Sequence, residues 1–147
     1  GMLHDIGQVI LCTKLPLLSM KILLDLQSQN EQIDILENEE LDFDHAELGA
    51  KLLKKWNLSD FHIEVTSFHH KPHQAPNYSF EASLIYFADI LADTMQLGSS
   101  GEKPVSSNLE EETWENLNFS EQISLFELKG KIAEAYDETL SLFLQTT

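Results

Sequence analysis

Residues 44–57 read DHAELGAKLLKKWN, and their spacing decides the fold class. Asp44 and Glu47 have the spacing of a capping box, in which the first side chain accepts from a backbone N–H and the glutamate reaches back. Behind them Leu48, Leu52, Leu53 and Trp56 recur at steps that suit about 3.6 residues per turn. Asn57 can close this helix. Towards the N-terminus, Pro16 suits a first helical turn. It opens a helix over 16–27 with Leu17, Leu18, Ile22, Leu23, Leu24 and Leu26 as its apolar set. Residues 30–44 are acidic and read as a loop or a short helix. Towards the C-terminus, Ser59 is placed to cap a helix carrying Phe61, Ile63, Val65 and Phe68. Pro72 and Pro76 then break the chain into a loop. A longer helix runs from about Phe80 to Gln96 with Leu84, Ile85, Phe87, Ala88, Leu91 and Met95 on one side. Strand-like alternation, internal repeats and low-complexity tracts are absent from the sequence, so the fold class is all-α.

The whole chain has 147 residues, 9 basic and 25 acidic, for a net charge of −16. Apolar residues make up 42% and charged residues 23%, the balance of a folded globular chain rather than a disordered one. The domain plan is a helical core over 1–97, a flexible linker over 98–108 (GSSGEKPVSSN), and C-terminal helices over 109–147 packing on the core. Ser120 could cap one of these last helices, and Ile132, Tyr136, Leu140 and Phe143 line the other. The acidic balance argues against nucleic acid and anionic membrane as partners, because both need clustered Lys and Arg. No stretch approaches the ~18 apolar residues of a membrane span, and His4 and Asp5 interrupt any secretory signal. The single cysteine, Cys12, has no partner for an internal disulfide, so a cytoplasmic setting is expected.

Histidine placement is the informative chemical feature. His4 precedes Asp5, His69 precedes His70, His45 opens a helix, and Asp89 and Asp93 stand one turn apart. Neighbours on an ideal helix diverge by ~100°. His4 and Asp5 can therefore share a centre only at a helix start, or if Asp5 bridges two ions. Imidazole with carboxylate suits Fe, Mn or Zn, and carboxylate with water also suits Mg. A His-Asp dipeptide on its own is weak evidence for a metal and reads first as a surface histidine beside a capping aspartate.

Larger stretches carry a resemblance. Residues 1–7, GMLHDIG, resemble the signature of the HD superfamily of metal-dependent phosphohydrolases. Residues 44–72, DHAELGAKLLKKWNLSDFHIEVTSFHHKP, resemble its HDOD signalling branch in the order and spacing of His45, Gly49, Trp56 and the His69–His70 pair. The segment IYFADILAD, residues 85–93, looks like the family's next helix. The resemblance implies an HD-domain-like helical bundle with His4, Asp5 and Asp89 as metal ligands and Asp5 as the bridge. His45, His69 and His70 match positions that widen the site in the related HD-GYP phosphodiesterases. Asp93 and Gln8 are candidates to support the ligands from behind.

Three departures shape the functional expectation. The superfamily's first histidine lies upstream of the His-Asp pair, so the resemblance implies an N-terminally short version. Gln8 stands where the phosphodiesterases carry a lysine, and KPHQAPN (residues 71–77) has no GYP signature. The expected function is an HDOD-like output module acting through contacts with a signalling protein partner, with or without a residual divalent metal. The alternative is a metal-dependent phosphohydrolase acting on a nucleotide or cyclic dinucleotide. A short domain would also leave apolar faces on helices 16–27 and 48–56, which makes self-association an expectation. Among the remaining residues, Trp56 reads as core, Cys12 as a small buried apolar residue, and His62 and His73 as surface groups. The acidic run Glu37, Glu39, Glu40, Asp42 and Asp44 reads as a solvated face or a docking surface for a basic partner.

Overall fold

A computed structural model describes residues 1–29, 31–97, 117 and 125–144, and all of its regular structure is helical. The helices are α1 (Ile6–Lys14), α2 (Pro16–Ser28), α3 (Ile33–Leu41), α4 (His45–Lys55), α5 (Asp60–Phe68), α6 (Ser79–Thr94) and α7 (Leu125–Leu144), with one 3₁₀ turn at Pro72–Gln74. The chain divides into two units, Gly1–Leu117 and Asn118–Thr147. The first holds α1–α6. The second holds α7, on which Tyr136 and Leu140 are exposed and Ile132 is half-buried. The linker 98–108, the Ser120 cap and the side chain of Phe143 lie outside the described residues.

α4 forms as its sequence directs. Asp44 Oδ1 accepts from the Glu47 N–H at 2.8 Å, while Lys54 and Lys55 in the last turn complement the helix dipole. Asn57 then adopts φ 57°, its N–H donates to Lys54 O (3.0 Å), and the Leu58 N–H donates to Leu53 O (3.1 Å). Those two bonds are a Schellman closure, and asparagine tolerates the left-handed backbone that it needs. The acidic stretch before α4 forms α3, whose Ile33 and Leu36 pack against Ile22 and Leu26 of α2. Ser59 holds the N-cap position of α5, but its hydroxyl pairs with His62 Nδ1 at 2.8 Å instead of a backbone N–H.

α1 and α4 cross with backbone against backbone. A Cβ on Gly7 would collide with the His45 carbonyl oxygen and lie 2.9 Å from Gly49 N. A Cβ on Gly49 would lie 3.1 Å from Thr66 Cγ2. Only glycine at Gly7 allows this approach. α4 also packs on α5, and α5 on α6, burying Leu53, Val65, Ala82, Tyr86 and Phe87.

Two expectations about burial are corrected. Trp56 is 53% exposed, because the inward face of α4 runs through Ala46, Gly49, Ala50 and Leu53 and the chain leaves the helix before that face reaches it. Cys12 is exposed, because α1 buries Gly7 and Leu11 and the next residue turns ~100° away. Leu17, Met20 and Leu24 are exposed on the outer face of α2, where the sequence leads one to expect an apolar patch. No helix among the described residues is long and apolar enough to cross a membrane.

Two predictions follow from these contacts. Gly7→Ala should lower stability by about 2–3 kcal/mol in urea unfolding, although alanine is the better helix former by roughly 1 kcal/mol. An unchanged midpoint would mean that the crossing opens freely. Glu64 gives a pH dependence. Its carboxylate accepts from Asn77 N (2.6 Å), Tyr78 N (2.7 Å) and Asn77 Nδ2 (2.9 Å), tying α5 to the start of α6. Burial pushes its pKa up, but the bonds from Asn77 and Tyr78 outweigh that and hold it below the usual 4.5. A depressed folded-state pKa contributes stability above the unfolded value and loses it as pH falls through the folded one. The stability gap between wild type and Glu64→Gln should therefore be constant above about pH 5 and shrink on acidification below it. A gap independent of pH would show that the charge is irrelevant.

Candidate metal centre

The ends of helices supply the cluster. His4 and Asp5 lie in the turn leading into α1, with Asp5 at the N-cap position and its carbonyl accepting from Gln8 N at 3.0 Å. This helix start relieves the ~100° divergence that would separate neighbours mid-helix. His45 is the first residue of α4, His69 is the C-cap of α5, and His70 follows in the turn. Asp89 comes from the middle of α6.

Asp5 stands at the centre. Its Oδ2 is 2.9 Å from His4 Nε2, and its Oδ1 is 3.3 Å from His69 Nε2 and 3.7 Å from His45 Nε2. His45 Nε2 lies 2.9 Å from His70 Nε2, and Asp89 Oδ1 lies 3.6 Å from His4 Nε2. His45 and His69 are buried, whereas Asp5 and Asp89 retain some solvent exposure. Among the described residues, two groups of donor atoms, His4–Asp5–His69 and His45–His69–His70, each gather within 4.8 Å and share His69.

The outward ring nitrogens are tied down. His4 Nδ1 donates to Gly1 O (2.5 Å) and His69 Nδ1 to Thr66 O (2.7 Å). A carbonyl oxygen only accepts, so these protons sit on Nδ1 and the two Nε2 atoms face the cluster. That arrangement is how ligating imidazoles are oriented. Burial works against a charged His4, but the Asp5 and Asp89 carboxylates outweigh it and push its pKa up to about 10. Burial likewise works against a charged Asp5, yet the imidazoles of His4 and His69 hold it well below the usual carboxylate range. His70 is held well below its ordinary value by burial and by its neighbours His69 and His45. The site thus concentrates negative charge near His4 and lone pairs near His70.

These residues fit a divalent metal. Bonds of about 2.0–2.2 Å to one ion place neighbouring ligand atoms roughly 2.9–3.5 Å apart, which spans most of the separations found here. His69 Nε2 is buried with no aligned hydrogen-bond partner in the protein, which is how a ligand atom would be left. Mixed imidazole and carboxylate donors suit Fe, Mn or Zn, while Mg prefers oxygen alone.

The structure thus brings His4, Asp5, His45, His69 and His70 together, with Asp89 at the edge beside His4. Asp93, half-buried on the next turn of α6, joins neither group of donor atoms. Gln8 lines a cavity of about 10 Å³ with Glu37, Leu11 and Ile22. Glu37 was not legible as a site residue. It is only 2% exposed and accepts from both His45 N (2.7 Å) and His45 Nδ1 (2.6 Å). Its neighbour on the same face, Asp34, is fully buried and pairs with Lys71 Nζ at 2.8 Å. The acidic run is therefore not one solvated face. Glu39, Glu40 and Asp42 are exposed, but Glu37 and Asp44 turn inward. The signal lay in the register, since Ile33 and Leu36 set an inward stripe that includes Asp34 and Glu37.

Residues 1–72 match the HDOD domain. The matched stretch contains all four clustered histidines and Asp5 and stops short of Asp89. The chain is also 32% identical over 91 residues to an uncharacterized protein of Treponema pallidum (strain Nichols), an alignment covering 61% of this chain and 18% of that protein. The chain thus spans only about a fifth of that relative's length. No solved structure matches it.

Protein purified without added metal should carry about one or two equivalents of Fe, Mn or Zn by inductively coupled plasma mass spectrometry. Asp5→Ala should remove most of it and Asp93→Ala should not. Full occupancy in the Asp5 variant would refute the central place given to this carboxylate.

Proposed function

We propose that this chain is a signalling module of the HDOD type that keeps a resident divalent metal and acts through protein contacts. The observation that carries the reading is the ordered donor set. Its imidazoles turn Nε2 inward, and their outer nitrogens are held by Gly1, Thr66 and Glu37. A bound ion would supply Lewis acidity and a rigid tie between the chain segments. The residues around the cluster are poorly suited to a phosphate ester. The chain's nine basic residues are all lysines, so no guanidinium can clamp phosphate oxygens. Lys71, directly after the histidine pair, is committed to buried Asp34. A cavity of about 320 Å³ beside His4 is lined by Leu3, Phe61, Leu84 and Glu81, with no lysine. With a net charge of −16, the protein's field also opposes polyanionic substrates.

One observation favours the second reading, a metal-dependent phosphohydrolase. The two oxygens of Asp5 face different groups, His4 on one side and His69 with His45 on the other, as suits a carboxylate shared by two ions. Protein loaded with Mn, Fe or Zn should be incubated with bis-p-nitrophenyl phosphate, nucleotides and cyclic dinucleotides. The signalling reading expects metal near stoichiometric and no turnover above buffer. Turnover that disappears in Asp5→Ala would replace it with the hydrolytic one.

A further inference from the structure

We propose that Glu37 is the positioning residue of the centre, holding His45 in the one orientation and tautomer that present Nε2 to a metal. The inference rests on reading the cluster as a metal site. His4 and His69 are oriented by main-chain carbonyls, but His45 is oriented by a carboxylate. A single oxygen, Glu37 Oε2, takes both the backbone N–H and the ring Nδ1–H of His45, at 2.7 and 2.6 Å. Backbone and side chain of the same residue are thus fixed from one point, leaving Nε2 for the cluster.

The placement of Glu37 explains why a buried carboxylate is tolerated there. His45 is the first residue of α4, so its N–H is one of the donors that a helix start leaves unpaired, and the helix dipole favours an anion at that end. α3 brings Glu37 to this point because Ile33 and Leu36, which flank the same inward face, are anchored on Ile22 and Leu26. A carboxylate behind an imidazole makes that imidazole a stronger donor to a cation, and losing such a partner commonly costs 10–100-fold in metal affinity. Glu37 also adds negative charge to a site already holding Asp5 and Asp89.

The test compares wild type with Glu37→Gln and Glu37→Leu, using Zn²⁺ affinity by competition with a chromogenic chelator and the His45 tautomer by long-range proton–nitrogen spectra of the metal-free protein. Glutamine keeps an oxygen that can accept both bonds but loses the charge. It should preserve the Nδ1–H tautomer and weaken Zn²⁺ binding by about 10-fold. Leucine should lose the fixed tautomer and weaken binding by up to about 100-fold. A role confined to folding would lower the melting temperature of Glu37→Gln and leave the Zn²⁺ affinity of the folded protein unchanged, and that result would overturn the proposal. A folded Glu37→Leu protein that keeps the wild-type tautomer would overturn it as well. If wild type itself takes up no Zn²⁺, the metal reading fails separately, and the tautomer comparison alone decides whether Glu37 governs His45.

Discussion

The contact between Gly7 and the His45 carbonyl is the constraint on which the rest depends. Helices normally meet through side chains, at axis separations of about 8–10 Å. Here α1 presses bare backbone onto the first turn of α4, beside a second glycine, Gly49. Asp5 lies two residues before Gly7, and His45 is the very residue touched. The close approach therefore brings the carboxylate within 3.7 Å of the imidazole. A side chain at this crossing would separate the helices by about the width of a methyl group, more than the cluster's spacings allow.

The cluster is a place where polar groups are buried against their preference, and the fold holds the outward nitrogens of three imidazoles while leaving an inward one, His69 Nε2, without an aligned partner. An unpaired buried imidazole or carboxylate costs several kcal/mol. The outward nitrogens of His4 and His69 find main-chain carbonyls, and that of His45 finds Glu37. Asp34, deeper still, draws in Lys71 from the residue after His70. α3 therefore serves two neighbouring stretches, with Glu37 behind His45 and Asp34 beside the end of the histidine pair. A helix rich in acidic residues is acting here as a wall of the site, not as a solubilising surface.

How much of this was legible depends on the range of the interaction. The N-cap at Asp44, the closure at Asn57 and the proline at the start of α2 are local, and the sequence shows them directly. The convergence of His4, Asp5, His45, His69, His70 and Asp89 was reached through motif resemblance, because no local rule brings residue 4 near residue 89. Trp56 misled because the periodicity of α4 continues on paper after the helix has stopped. Glu37 misled because charge was weighed without register. Ile33 and Leu36 already fixed which side of α3 faces inward, and two acidic residues lie on that side.

The donors come from distant points of the chain, with 41 positions from His4 to His45 and 24 from His45 to His69. An ion gripping these residues would close two long loops, much as a disulfide does in an extracellular protein. In the chain-entropy picture, cross-links over loops of that size remove roughly 3–4 kcal/mol each of unfolded-state freedom. The chain's single cysteine leaves no covalent way to obtain such ties within it. A chelator would then play the part that a reductant plays for a disulfide-bonded domain. The supply of metal in the surroundings would set the mechanical cohesion of α1, α4 and α5 as one body.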